Sequence, residues 1–181
     1  ARRVIVVASD CRPADPESEL EGVLGDGAVA LVVDRDARLA ELVDAAAVAE
    51  EFTFQWRRDA GSGVQVGDAR FSVPPGYLRD LGQVVERVLN ENGVGSSDLA
   101  ALCLGAPDAR AAQQLARAVG LDAKTQLAPA FFEEVGVLGC PDPFLTLAAA
   151  LERAEAGDWL VAAAFGEGAE GGLLRAPAGA G

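Results

Sequence analysis

Three short runs of small and β-branched apolar residues constrain this chain most: residues 4–9 (VIVVAS), 28–33 (AVALVV) and 159–165 (WLVAAAF). Their apolar character is continuous rather than alternating, so each reads as a strand buried on both faces. None approaches the ~20 residues that span a bilayer. Strands of this kind need helices to cover them, and the intervening sequence supplies candidates. Residues 76–92 place Leu78, Leu81, Val84, Val85, Val88 and Leu89 at three- and four-residue spacing, an amphipathic helix. Asn92-Gly93 stops it. Residues 107–119 read as a second helix ended by Gly120, and residues 145–156 as a third, closed by Gly157-Asp158. Residues 97–104 contain another short buried strand, and 169–174 read as a strand beside 159–165. Strands alternating with helices indicate an α/β layered fold.

Other segments are less regular. Residues 10–21 carry two prolines and many charges, a surface loop. The Ala, Leu and Glu content of residues 37–51 favours helix by propensity. Residues 52–75 show no helical period and read as irregular or short-strand structure. Gly25-Asp26-Gly27-Ala28 and Gly166-Glu167-Gly168-Ala169 both join apolar strands, which hints at an internal duplication. The sequence divides into one domain, residues 1–175, and a flexible tail, residues 176–181.

Charge excludes one class of partner. Lys and Arg number 15 against 28 Asp and Glu, a net charge of −13, so the basic footprint of a nucleic-acid binder is missing. A solvated acidic surface is the simplest account. Cys11, Cys103 and Cys140 are scattered, with neither a disulfide framework nor metal-ligand spacing, and each reads as a small packing residue in a reduced, cytoplasmic protein. No targeting pattern precedes the first strand, and no membrane association is expected. Histidine is absent, which removes the usual general base near neutral pH and the commonest metal ligand. No metal site is expected.

The order of blocks resembles the thiolase superfamily, and most closely the 3-hydroxy-3-methylglutaryl-CoA synthase branch. VIVVASD followed by LGDGAVALVV resembles the end of that family's first half. FTFQWRRD (residues 52–59), Gly76-Tyr77-Leu78 with its helix, and the run from Gly136 through PFLTLAAALERAEAGDWLVAAAFGEGA resemble segments of its second half. The resemblance implies a thiolase-like fold comprising the C-terminal half plus the last strands of the N-terminal half. It also implies an extended segment at residues 37–51. The family's catalytic Cys and general acid/base Glu belong to the first half, outside the matched blocks.

Within the match, two positions depart from the family. Its active-site His-x-Pro falls on Gly105-Ala106-Pro107, so Gly105 stands where His would be. Its Gly-Asn-Thr falls on Gly136-Val137-Leu138, so Val137 replaces the Asn that polarises the thioester carbonyl. Neither can move a proton or donate a side-chain hydrogen bond. The glycine loop Gly166, Glu167 and Gly168 would form part of the acyl pocket, with Gly105, Val137 and Gly166 converging there, although a plain hairpin turn also explains it. Arg110 would contact CoA. Arg57-Arg58 beside Trp56 would do so too, or would form a solvated salt-bridging pair. Asp108 suits the first turn of its helix, and Asp142 reads as an N-cap.

The resemblance thus implies a non-catalytic unit, with no catalytic residue and no cofactor beyond a CoA thioester as ligand. It would scaffold or complete an acyl-CoA-handling complex as an oligomer. Its partner would be a thiolase-like catalytic half or subunit, or an OB-fold/zinc-ribbon acyl-CoA-binding protein. The alternative is part of a condensing acyltransferase whose nucleophile lies on a missing half or another chain.

Overall fold

The computed structural model describes residues 3–36, 39–59, 62–68, 71 and 73–177. Strands β1 (Val4–Asp10) and β2 (Gly27–Val33) pair antiparallel from Val4 opposite Val33 to Asp10 opposite Gly27. They form a separate two-stranded ribbon. β3 (Glu41–Ala49) follows, then a small hairpin of β4 (Gln55–Trp56) and β5 (Gln65–Val66). A wide π-type turn, Val73–Leu78, runs into helix α1 (Arg79–Glu91). β6 (Leu99–Leu104), α2 (Ala109–Ala118), the single turn α3 (Phe132–Val135), α4 (Asp142–Leu151), β7 (Trp159–Gly166) and β8 (Gly168–Arg175) complete the chain.

The main sheet has the order β3-β8-β7-β6. β6 and β7 are parallel, which requires the crossover through α2 and α4, whereas β7–β8 and β3–β8 are antiparallel. Strand alternation then sorts side chains to two faces. Leu102, Leu104, Val161, Ala163 and Leu173 join the core of α1 and α2. Cys103 and Leu160 join Leu147 and Ala150 of α4 on the other face. In α1 the predicted stripe is the one that is buried: Leu81, Val84, Val85 and Val88 have no exposure. Each contributes about 1.5–3 kcal/mol by leaving water. Asp108 caps α2, its Oδ1 accepting from the Ala111 amide at 2.7 Å.

Two expectations change, and one open alternative closes on its extended reading. Residues 4–9 form a strand, but not a buried one. Ile5 is 66% exposed and Val32 67%, and Val4, Val6 and Val7 are exposed as well. Within the described residues β1 and β2 have only each other as ladder partners, and neither strand holds a buried residue. Residues 41–49 of the ambiguous segment are strand rather than helix, because Ala45 and Ala46 pair with Gly172 and Gly171 and tertiary pairing overrides propensity. Asp142 is the first residue of α4 and faces backwards, accepting from the Leu138 and Gly139 amides at 3.1 Å each instead of capping the helix.

Ala176 is buried and bonded through both backbone groups, to Asp158 and Gly157, so the flexible tail does not include it. Residues 178–181 lie outside the described residues. No described helix is long and apolar enough to cross a membrane.

The β7–β8 hairpin turns on Gly168, whose φ is 101° and whose added Cβ would lie 1.9 Å from the Val48 carbonyl oxygen. Gly168→Ala is expected to cost about 3 kcal/mol, combining backbone strain and overpacking. Gly166→Ala, with nothing within 4 Å of its Cβ, should shift stability by less than about 0.5 kcal/mol. Urea denaturation of the two variants checks the contrast.

Candidate functional site

Seven separate segments line one open cavity of about 450 Å³, within the size range of small-molecule sites. The end of β1 contributes Asp10 and then Arg12, and the end of β3 contributes Ala47, Val48 and Ala49. Phe54, Gln55 and Tyr77 close one side. The loop after β6 brings Gly105, Ala106 and Pro107. The loop into α4 brings Val137, Gly139, Cys140, Asp142 and Pro143, and the β7–β8 hairpin brings residues 164–170. Gly105, Val137, Gly166, Glu167 and Gly168 therefore line the same space. Arg110 is exposed on α2 and is not part of this lining.

Each wall is held by identifiable bonds. Gly105 is fixed by its amide, which donates to the Ala163 carbonyl at 3.3 Å. A Cβ there would meet Pro143 Cδ at 3.2 Å and Asp142 Cβ at 3.5 Å. A side chain at position 105 would thus grow against the start of α4. Val137 is stitched to the segment before β2: its amide donates to the Val23 carbonyl at 2.8 Å and its carbonyl accepts from the Gly25 amide at 3.1 Å. The tilted ring of Phe165 stands against Phe52, Phe54 and Tyr77, with centroids 6.3, 6.2 and 5.8 Å away.

Arg12 is the central polar group. Its side chain is only 3% exposed. One terminal nitrogen donates to the Gln55 side-chain oxygen and the other to the Val137 carbonyl at 3.4 Å, while Nε lies 4.0 Å from Asp10 Oδ2. Burial lowers the guanidinium below its ordinary value, opposed by Asp10 and Asp142. Burial likewise raises the Asp142 carboxyl, opposed by the two amides it accepts from and by Arg12. Arg57, from the Trp56-Arg57-Arg58 run, donates to the Cys11 carbonyl at 2.9 Å and pairs with Asp10 at 3.4 Å, which is the salt-bridging arrangement.

The three cysteines are free thiols in different settings. Cys103 is the packing residue expected, and burial pushes its thiol up to about 12. Cys11 and Cys140 are exposed, which corrects the packing reading for both. Cys11 Sγ donates to Asp26 at 3.4 Å, and that bond raises its pKa. Cys140 lines the cavity.

Arg12, Tyr77, Asp142 and Phe165 are lining residues that sequence reasoning did not assign to a site. A signal existed only for Tyr77, the sole tyrosine, which sits four residues before Leu81 on the apolar stripe of the helix.

No protein-family model matches the chain. Hydroxymethylglutaryl-CoA synthases of Caldivirga maquilingensis and Pyrobaculum neutrophilum are each 27% identical over 165 residues, covering 91% of this chain and 47% of their own length. The chain thus spans about half the length of the curated relatives it matches. A crystal structure of an HMG-CoA synthase complexed with CoA superposes with a TM-score of 0.77 and 23% identity, covering 98% of this chain and 50% of that one. The 3-oxoacyl-(acyl carrier protein) synthase III of Pseudomonas aeruginosa PAO1 superposes with a TM-score of 0.81 and 22% identity, covering 97% and 58%. The chain is therefore thiolase-like in fold and matches part of the hydroxymethylglutaryl-CoA synthases.

Proposed function

We propose that this chain is a non-catalytic thiolase-like unit that scaffolds or completes an acyl-CoA-handling complex. The observation that carries the reading is the cavity lining. Gly105 and Val137, the positions our reading matches to the family's His and Asn, both line this space, and the chain has no histidine to serve there as a base. Cys140 is the one nucleophile there. Its ionisable neighbours are Arg12, already bonded, and Asp142, whose oxygens are occupied by the Leu138 and Gly139 amides. A thiol without an imidazole base beside it is a poor acyl acceptor.

The uncovered β1–β2 ribbon supports the second part of the reading. Two paired strands with apolar residues exposed on both faces form a surface that needs partners. The partner we favour is a thiolase-like catalytic half or subunit. An OB-fold/zinc-ribbon acyl-CoA-binding protein is the other candidate, and assembly as an oligomer is expected with either. The similarity to hydroxymethylglutaryl-CoA synthases favours a second reading, a condensing acyltransferase whose nucleophile is supplied from outside these residues. Both readings place the protein in the cytoplasm with a CoA thioester as ligand.

Incubation with acetyl-CoA followed by intact-mass measurement is expected to show no acetyl adduct on any of the three thiols. An adduct on Cys140 would overturn the non-catalytic reading. Native mass spectrometry of the protein purified from its source should show a companion carrying a Cys-containing thiolase-like half. Acyl transfer by that assembly would separate the two readings. A lone monomer under the same conditions would count against both.

A further inference from the structure

Helix α4 lacks the polar outer face that the other long helices carry. α1 turns Gln83, Glu86 and Arg87 to solvent, and α2 turns Arg110, Gln113 and Arg117. In α4 both polar side chains point inward. The Thr146 hydroxyl donates to the Asp142 and Pro143 carbonyls at 3.1 Å each, and Asp142 holds the Leu138 and Gly139 amides. What remains toward solvent is apolar, with Phe144, Leu145, Ala148 and Ala149 each half-buried. A helix that is apolar all round belongs in an interior.

The sheet beneath α4 is covered over one half only. α4 packs on Cys103 of β6 and Leu160 of β7. The registers carry that face across β8 and β3: Gly172 and Glu170 stand beside Ala162 and Ala164, and Ala45 and Ala47 stand beside them in turn. Ala45 and Ala47 are exposed, and Leu42, whose side chain lies over Gly172, is 63% exposed. Alanine and glycine keep this half flat, so another backbone can approach closely. Two strands at a spacing of about 4.8 Å are about 10 Å wide, the diameter of one helix. The 8 residues of β8 span about 26 Å, the length of about 17 helical residues. The one charged residue in these pairs, Glu170, stands at the end where Ala47 and Ala164 also line the cavity. The rest of the half is apolar and suits an uncharged surface.

We propose that the β8–β3 half of this face is a docking seat for a single helix of a partner polypeptide, lying beside α4 and flat on the sheet. Such a helix is apolar on two adjacent sides, one for the sheet and one for α4. The proposal rests on the reading that this chain completes a complex, and it deepens that reading by naming the element the partner supplies. The seat is a different surface from the β1–β2 ribbon, and its test uses no companion protein. It can therefore fail while the ribbon still finds a partner.

The probe is a fluorescein-labelled helical peptide of about 17 residues. It carries alanine and leucine on two adjacent sides and equal numbers of Glu and Lys on the third, so the protein's negative charge does not attract it. Fluorescence anisotropy should show binding to the folded chain at micromolar concentration. Ala45→Arg with Ala47→Arg, at two exposed positions of the floor, should weaken binding at least about tenfold. Ala148→Arg with Ala149→Arg, on the wall, should do the same, and Ile5→Arg on the ribbon should leave binding unchanged. Absence of binding, an equal loss with Ile5→Arg, or no loss with either arginine pair would overturn the proposal. Sedimentation of the chain without peptide supplies the last arm. Equal association states for the chain and its Ala45→Arg/Ala47→Arg variant support a partner helix. A dimer that this variant dissociates would make the occupant a second copy and overturn the proposal as well.

Discussion

The seating of α1 on the four-stranded sheet is the contact on which the rest of the molecule depends. Leu81, Val84, Val85 and Val88 meet Leu102, Val161 and Leu173 in one core. The helix approaches so closely that a Cβ on Gly171 would lie 2.7 Å from Val84 Cγ1. A larger residue at 171 would lift the helix, and Tyr77 would move with it, since the π-type turn and α1 are continuous. The edge-to-face contact of Tyr77 with Phe165 then sets the depth of the cavity floor.

A second set of bonds fastens the ribbon to that site. Arg12 follows β1 directly and reaches Gln55 and the Val137 carbonyl, while its own amide donates to Asp26 at 2.6 Å. Asp26 is thereby held below the usual carboxylate range. Gly139 packs against the Asp10–Arg12 pair, where a Cβ would come within 2.6 Å of Asp10 Oδ2. Asp142 in turn holds the Leu138 and Gly139 amides. The loop carrying Val137 is therefore fixed from both sides, by the ribbon and by α4. Burying Arg12 and Asp142 is costly unless both stay bonded, so this junction ties the exposed ribbon to the buried sheet.

Much of this architecture was legible in the sequence. The stripe of α1 and the continuous apolar runs gave correct strands and helices because local period and tertiary burial agree there. Residues 41–49 were ambiguous because alanine suits a helix in isolation, while their pairing with Gly171 and Gly172 is visible only in three dimensions. The burial of β1 was misread for a related reason. A run such as VIVVAS states that it needs covering, not whether these residues supply the cover. Gly105, Val137 and the 166–168 loop came from family resemblance, since a glycine or valine carries no chemical signal of its own. Arg12 and Asp142 were not found, because a single charge after a strand gives no hint that a distant loop will enclose it.

The central physical claim is that the sheet with α1, α2 and α4 holds the buried core, whereas the β1–β2 ribbon is exposed on both faces among the described residues. Amide hydrogen–deuterium exchange on the isolated chain tests this most directly. The account predicts slow exchange in β6, β7, β8 and α1, together with fast exchange in β1 and β2. Ribbon amides as protected as those of β7 in the isolated monomer would contradict it.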